Sequence, residues 1–278
     1  MSRLGIDSMM FPILDHLVLE DYQNVYEPSD DTFLLCDALE KDIQEGAHPS
    51  LHSLFTHSLT HSQGVLTNDM LIACEVGCGS GCVITHLARL FQERNHPIHC
   101  IGIDINPKAL EVTNRTGIRN GILVTHSLTY SLTHSLTHSP GVHINTVRGN
   151  LLDSIHHTID ILLFNPPYVP TPDEEVQGCG IEASWAGGTD GRIVIDKFMP
   201  YVKDALSPGG THSLTNSCTY SLTHSYKGRC YMVLVSENKP KEITKYFTNQ
   251  NLTVDIVLRR QAVNEGLLIM RITKPIGH

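Results

Sequence analysis

The chain has 278 residues, of which 41% are hydrophobic and 18% are charged, and its formal net charge is -9. This length suits one large domain, and the acidic balance disfavours a protein that holds nucleic acid against a broad basic face, so we expect no stable nucleic-acid complex. We also expect no membrane segment, because no window approaches the roughly 18 apolar residues that a spanning helix needs. The first residues lack the apolar run of a secretory signal.

A short unit, Ser-Leu-Thr-His, recurs in three stretches at about 47–64, 123–140 and 211–226. Its four-residue period is far shorter than the roughly 20 to 50 residues of a solenoid repeat. Many of the 17 histidines lie in these stretches, but no acidic or cysteine cluster accompanies them as a metal site would need. We therefore interpret the stretches as low-complexity insertions in surface loops that interrupt a single domain spanning 1–278.

Outside the insertions, strand and helix patterns alternate along the chain. The predicted strands are Met70–Val76, His99–Ile103, Val142–Val147, Ile159–Phe164, Tyr231–Ser236, Thr253–Arg259 and Gly266–Ile272. The predicted helices are Thr32–Leu39, Cys82–Gln92, Pro107–Thr116, Gly191–Leu206 and Pro240–Thr248. This alternation favours an α/β fold: a doubly wound, mainly parallel, seven-stranded Rossmann-like sheet with a terminal antiparallel strand.

The eight cysteines are predicted to be reduced and packed in the interior. Cys74, Cys78 and Cys82 lie four residues apart around the strongest strand–turn–helix pattern, a spacing that differs from the C-x-x-C pairs of zinc sites. We therefore expect no bound metal. Reduced thiols favour a cytoplasmic or nuclear protein.

A glycine-rich turn follows the first predicted strand and opens a helix: Glu75, Gly77, Gly79 and Gly81 alternate with small residues. Asp104 ends the next strand, where a carboxylate can accept hydrogen bonds from both ribose hydroxyls of a nucleotide. The spacing G-x-G-x-G differs from the G-x-G-x-x-G of dinucleotide-binding oxidoreductases. The Glu75 carboxylate would repel a pyrophosphate but suit the amino group and sulfonium of S-adenosyl-L-methionine, so that cofactor is favoured.

A second motif, Asn165-Pro166-Pro167-Tyr168, directly follows the buried strand that ends at Phe164. The side-chain oxygen of Asn165 and the backbone carbonyl of Pro166 can accept the two hydrogens of a planar –NH2 group, and Tyr168 can pack on that plane. Such a site works by positioning and electrostatics, without a metal or a covalent intermediate. The motif therefore predicts methyl transfer to an amide or amino nitrogen.

The sequence resembles the eukaryotic and archaeal release-factor glutamine methyltransferases, the HemK2-like group. The similarity lies in Val25–Leu39 (VYEPSDDTFLLCDAL), Glu75–Gly81, Cys100–Pro107, Phe164–Pro170 and Gly180–Arg192 (GIEASWAGGTDGR). It implies a substrate, the glutamine of the Gly-Gly-Gln motif in a class I peptide chain release factor. Two other possibilities stay open at this point: a DNA or RNA N6-adenine methyltransferase, and a catalytically impaired subunit.

The resemblance also implies roles for individual residues. It places Tyr26 and Thr32 near the cofactor; Glu75, Gly77 and Asp104 at its methionine end and ribose; Asn150 and Leu151 at its adenine; and Asn165, Pro166, Pro167 and Tyr168 in the catalytic loop. Asn150 departs from the acidic residue of the family, although its oxygen can still accept from an adenine amino group. The alternative for the segment before Thr32 is that Asp30 or Asp31 merely caps a helix.

A partner is implied as well. Members of the group pair with a small zinc-binding activator subunit through the edge strand of the sheet, which corresponds here to Val142–Val147. An unpaired edge strand exposes N–H and C=O groups, and a partner strand would satisfy them.

Overall fold

The computed structural model of the protein describes residues 11–44, 70–125, 141–177, 181–208, 227–262 and 265–275. Within them, eight strands form one sheet in the order β3-β4-β2-β1-β5-β6-β8-β7. The strands are β1 (Leu71–Val76), β2 (Ile98–Asp104), β3 (Leu123–Thr125), β4 (Val142–Arg148), β5 (Ile161–Phe164), β6 (Arg229–Val235), β7 (Thr253–Gln261) and β8 (Gly266–Thr273). All neighbouring pairs are parallel except those that involve β8.

Helices cover the sheet: α1 (Asp30–Gln44), α2 (Cys82–Glu93), α3 (Pro107–Arg119), α4 (Ile193–Ala205) and α5 (Pro240–Thr248). Their positions follow local signals. Pro107 is the first residue of α3, and the Asn106 side chain caps that helix by accepting from the backbone N–H of Lys108 at 3.0 Å. None of the helices in the described ranges is long and apolar enough to cross a membrane.

The predicted fold class is confirmed. Helices connect the parallel strands of the doubly wound sheet, and β8, the last strand in the sequence, is antiparallel to both of its neighbours. The core strands were the easiest to predict. All four residues of β5 and all seven of β6 are buried, and such strands read as continuous apolar runs. The six cysteines of the described residues are free and buried, as the sequence predicted.

Two details of the sequence interpretation are wrong. The sheet has an eighth strand, because Leu123–Thr125, the first residues of the predicted insertion 123–140, form β3. Val142–Val147 is therefore not the outermost strand, since β3 pairs with β4 from Leu123 opposite His143 to Thr125 opposite Asn145. A three-residue strand next to a repeat carries no recognisable alternation. The rest of 123–140, and the stretches 47–64 and 211–226, lie outside the described residues.

Helix α1 is fastened to the sheet by a buried polar cluster. The Asp42 carboxylate, 2% exposed, accepts from the Tyr231 hydroxyl at 2.7 Å and from the Arg271 guanidinium at 2.6 Å. Arg271 also pairs with Asp255, whose side chain is 56% exposed. The cluster thus joins α1 to β6 and β8.

Two buried histidines make the stability of the fold dependent on pH. Burial lowers the pKa of His86 and of His99 to about 4, below the value of about 6.5 for an exposed histidine. The unfolded chain then binds more protons than the folded one between these values, so stability that is present above pH ~6.5 is lost as the pH falls towards 4.

We expect the slope of the denaturation midpoint against pH, between pH 7 and pH 5, to differ between wild type and His86→Leu, because the variant lacks the loss of stability that the lowered pKa of His86 causes as the pH falls. Urea titrations at several pH values would measure both. His156→Gln changes an exposed histidine and should leave the slope unchanged. An equal slope in wild type and His86→Leu would contradict the assignment.

Candidate functional site

A cavity of about 400 Å³ opens at the carboxyl ends of β1, β2, β4 and β5. In an open parallel sheet this is the expected ligand position, where the strand order switches direction, here between β2 and β5 on either side of β1. Of the residues predicted for the site, those that line the cavity are Tyr26, Thr32, Glu75, Gly77, Gly79, Asp104, Asn150, Leu151, Asn165, Pro166, Pro167 and Tyr168. The fold therefore brings together segments that are distant in sequence.

Gly81 is the predicted site residue that the structure places elsewhere. It precedes α2 with φ at 74°, a left-handed conformation that favours glycine. A side-chain Cβ at Gly81 would lie 2.7 Å from the Cα of Thr113 in α3. The third glycine of the turn thus allows two helices to pack closely behind the cavity, whereas Gly77 and Gly79 form its wall.

Glu75 sits at the end of β1, 3% exposed, and its carboxylate accepts from the backbone N–H of Ile84 at 2.9 Å. This contact satisfies one of the free N–H groups in the first turn of α2. Burial raises the pKa of the Glu75 carboxyl well above its usual range, although the Ile84 hydrogen bond opposes the rise. A positively charged group in the cavity would stabilise the ionised form and would itself be held there.

Asp104 ends β2 and holds the glycine turn. Its two carboxylate oxygens accept backbone N–H groups, one from Gly79 at 3.0 Å and the other from Asn106 at 2.9 Å. Burial raises its pKa against these hydrogen bonds. A carboxylate has about four lone-pair positions, so each oxygen retains the capacity to accept a hydroxyl from the cavity.

We expect Asp104→Ala to weaken S-adenosyl-L-methionine binding by about 1.5–3 kcal/mol, the size of a lost hydrogen bond to a charged group. Calorimetry would measure the affinity. Because Asp104 also accepts from the backbone N–H of Gly79, the melting temperatures of the variant and the wild type must be compared. Lys108→Ala, on the exposed start of α3, is the control. Unchanged affinity in Asp104→Ala would remove the residue from the site.

The remaining predicted cofactor residues line the same cavity from two sides. Tyr26 and Thr32 come from the segment before α1 and its first turn, and Asn150 and Leu151 from the turn after β4. The Thr32 hydroxyl accepts from the backbone N–H of Ser29 at 3.4 Å, so it also shapes the start of α1. The structure thus places Asn150 and Leu151 on the cavity wall.

The Asn165 side chain has a defined orientation. Its Nδ2 donates to the Asp31 carboxylate at 3.0 Å. Its Oδ1 is buried and has no hydrogen-bond partner among the described residues, and the residue lines the cavity. A buried carbonyl oxygen without a partner is costly, because it has lost its hydrogen bonds to water. The arrangement therefore supplies a ready acceptor for an N–H group of a bound molecule.

Tyr168 is 5% exposed, and its hydroxyl lies between two carboxylates, Asp31 at 3.2 Å and Glu265 at 2.9 Å. Burial and the two neighbouring carboxylates raise the pKa of the phenol. The hydroxyl therefore stays protonated and remains a donor at any pH at which the protein is folded.

The backbone of the catalytic loop is clamped by a glycine-rich segment. The N–H of Val169 donates to the carbonyl of Trp185 at 3.0 Å, and the N–H of Gly187 donates to the carbonyl of Val169 at 2.8 Å. Gly191 has φ at 64°, and a Cβ there would overlap the carbonyl of Tyr168. Trp185 itself lines the cavity. The glycines of the family-like segment thus allow a second loop to lie directly against the catalytic one.

Sequence reasoning missed three residues of this site. Asp31 was considered only as a helix cap, Glu265 lies in the turn before β8, and Asn238 follows β6. The amide nitrogen of Asn238 donates to the carbonyls of Tyr168 at 2.9 Å and Gly191 at 3.1 Å, which ties the two loops together. The polar turn Ser236–Asn238 after a fully buried strand was a usable signal for Asn238.

The chain has relatives that match it along nearly its whole length. It is 34% identical over 271 residues to Methyltransferase HEMK2 of Mus musculus, an alignment that covers 98% of this chain and 100% of the relative. It is 33% identical over 265 residues to the eRF1 methyltransferase catalytic subunit mtq2 of Schizosaccharomyces pombe, with 94% of each chain covered. No family model matches the sequence.

A solved structure agrees with these relatives. The E. cuniculi Mtq2–Trm112 complex, responsible for the methylation of the eRF1 translation termination factor, matches with a TM-score of 0.51 and 25% identity, covering 90% of this chain and 98% of that chain. The glycine turn and the Asn-Pro-Pro-Tyr loop meet in one cavity of such a fold. The chain therefore belongs to the HEMK2/Mtq2 family of methyltransferases.

Proposed function

We propose that this protein transfers a methyl group from S-adenosyl-L-methionine to the side-chain amide nitrogen of a glutamine, and that the substrate is the Gly-Gly-Gln motif of a class I peptide chain release factor. It is thus a protein-glutamine N5-methyltransferase acting in translation termination. The observation that carries this proposal is the buried, unpartnered Oδ1 of Asn165, a residue that lines the cavity. Relatives named for the same chemistry support it.

The residues of the chain divide the task between the two ends of the cavity. S-adenosyl-L-methionine supplies an electrophilic methyl group on its sulfonium. Glu75 would hold the cationic end of the cofactor, Asp104 would accept from its ribose hydroxyls, and Asn150 with Leu151 would contact its adenine.

The catalytic loop would hold the substrate amide. Asn165 Oδ1 and the carbonyl of Pro166 accept the two amide hydrogens, which fixes the –NH2 plane and raises electron density on nitrogen. When the nitrogen bonds to the methyl carbon, the bond between that carbon and the sulfonium sulfur would break, and one amide hydrogen would leave as a proton to solvent. Rate enhancement then comes from orientation and preorganised dipoles.

A methyl-transfer assay with labelled cofactor tests the proposal directly. A class I release factor should become labelled, and its variant in which the Gly-Gly-Gln glutamine is changed to alanine should not. Equal labelling of both proteins would place the modified residue elsewhere. Labelling of DNA or RNA in preference to the release factor would favour an adenine methyltransferase instead.

We also propose that a small zinc-binding activator subunit forms a heterodimer with this chain by extending the β3–β4 edge of the sheet. At that edge Leu123, the first residue of β3, is 55% exposed, and the outer N–H and C=O groups of an edge strand can pair with another strand. A partner strand would cover it. The proposed location is the cytoplasm, where release factors act in translation termination, and the nucleus is the alternative.

We expect co-expression with the activator subunit to raise the soluble yield, and Leu123→Lys to reduce the amount that co-purifies. The added charge would be buried in the interface, at a cost of several kcal/mol if it finds no partner. Thr253→Lys, an exposed position on β7 at the opposite edge, is the matched control. Undiminished co-purification of Leu123→Lys would exclude this edge.

A further inference from the structure

An asparagine amide can present either its oxygen or its nitrogen to a ligand by turning over about its terminal bond. Only one of these orientations suits a substrate –NH2 group, because the oxygen accepts a hydrogen whereas the nitrogen opposes one. Something must therefore hold Asn165 in the productive orientation. The proline that follows restricts its backbone but not the rotation of its amide.

Asp31 supplies that constraint. An ionised carboxylate only accepts hydrogen bonds, so the amide group that faces Asp31 has to be the Nδ2, and the observed distance is 3.0 Å. Asp31 lies in the first turn of α1 and is 3% exposed. Its other oxygen accepts from the backbone N–H of Thr32 at 2.7 Å, which fixes the carboxylate plane.

The Tyr168 hydroxyl contacts the same Asp31 carboxylate and also Glu265, a residue from a distant part of the sequence. It lies 3.2 Å from the Asp31 oxygen that also accepts from Asn165, and 2.9 Å from the carboxylate of Glu265. Asn165 and Tyr168 are both in the catalytic loop, whereas the two carboxylates come from the first helix and from the turn before β8. Both carboxylates thus converge on the motif from outside it.

We propose that Asp31 is a positioning residue that keeps the Asn165 amide turned with its nitrogen towards the Asp31 carboxylate and its oxygen towards the substrate nitrogen. The Tyr168 hydroxyl has a single hydrogen, for which Asp31 and Glu265 compete, so Glu265 is not part of this constraint. The inference rests on the proposed function of the site, because it specifies how the amide acceptor of that function is oriented.

Asp31→Asn tests the direct contact with little change of shape. The new amide can donate as well as accept, so Asn165 is free to turn over and present its nitrogen to the substrate. We expect kcat to fall on the order of 100-fold, the effect of a misoriented catalytic group, with an unchanged dissociation constant for S-adenosyl-L-methionine. Asp30→Asn, the exposed neighbour in the same helical turn, is the control and should retain wild-type kcat.

A second measurement is independent of the substrate. The side-chain NH2 resonances of Asn165, identified by their loss in Asn165→Ala, should shift in Asp31→Asn and not in Asp30→Asn. If wild-type protein labels no release factor, the proposed function fails while this shift still decides the orientation. If the release factor is labelled and Asp31→Asn keeps its kcat and its Asn165 resonances, the positioning role is wrong.

Discussion

Asn165→Ala is expected to abolish methyl transfer while the affinity for S-adenosyl-L-methionine stays within a few-fold of wild type. The substitution removes the only described cavity residue of the catalytic loop whose buried side-chain acceptor lacks a partner. Loss of one preorganised hydrogen bond of this kind lowers kcat by about 10²–10³-fold. It also removes the alignment of the substrate amide, so the total loss should be at the upper end of that range or beyond.

Single-turnover assays with labelled cofactor, together with calorimetry, separate the two effects. Asn249→Ala, an exposed asparagine at the end of α5, makes the same change away from the cavity and should retain full activity. A variant Asn165→Ala that keeps most of its turnover would refute the proposed mechanism. A variant that loses cofactor binding in parallel would place Asn165 at the methionine end instead.

Asp42→Ala should lower the free energy of unfolding by about 3–5 kcal/mol, as expected when one partner of a buried ion pair is removed. The substitution leaves the Arg271 guanidinium, 11% exposed, and the Tyr231 hydroxyl without the acceptor that they share. Because α1 also carries Asp31 and Thr32, loosening this helix should lower the affinity of the cofactor cavity as well.

Urea denaturation measures the loss, and Asp255→Ala is its matched control. Asp255 pairs with the same arginine at 3.1 Å, but its side chain is 56% exposed. Solvent screens such a pair, so its removal should cost less than about 1 kcal/mol. Similar losses from both substitutions would show that burial does not set the strength of this cluster.

Much of the fold could be predicted because the signals are local. β5 and β6 are continuous apolar runs, α3 begins at a proline with an asparagine cap, and the glycine turn sits between a strand and a helix. Strand ends could be placed to within a few residues. β3 could not be predicted, because three residues beside a repeat have no period of their own, and its pairing with β4 is set by the sheet.

The two motifs determined the chemistry in advance. G-x-G-x-G with Glu75 and Asp104 pointed to the cofactor, and Asn165 to Tyr168 pointed to the nitrogen acceptor, since each motif needs only residues that are neighbours in sequence or lie at successive strand ends. Gly81 shows the limit of this reasoning, because only the packing of α2 on α3 reveals that it faces Thr113 and not the cavity.

The sequence alone therefore determined the fold class and located the two loops that meet at the cavity, because these features depend on local periodicity and on short motifs. The tertiary structure decided which polar groups share a hydrogen bond across long separations. Asp31 lies 134 residues from Asn165, and Glu265 lies 97 residues from Tyr168. No local pattern encodes such pairs, because they form only when the sheet brings the first helix and the last hairpin to the same end of β5.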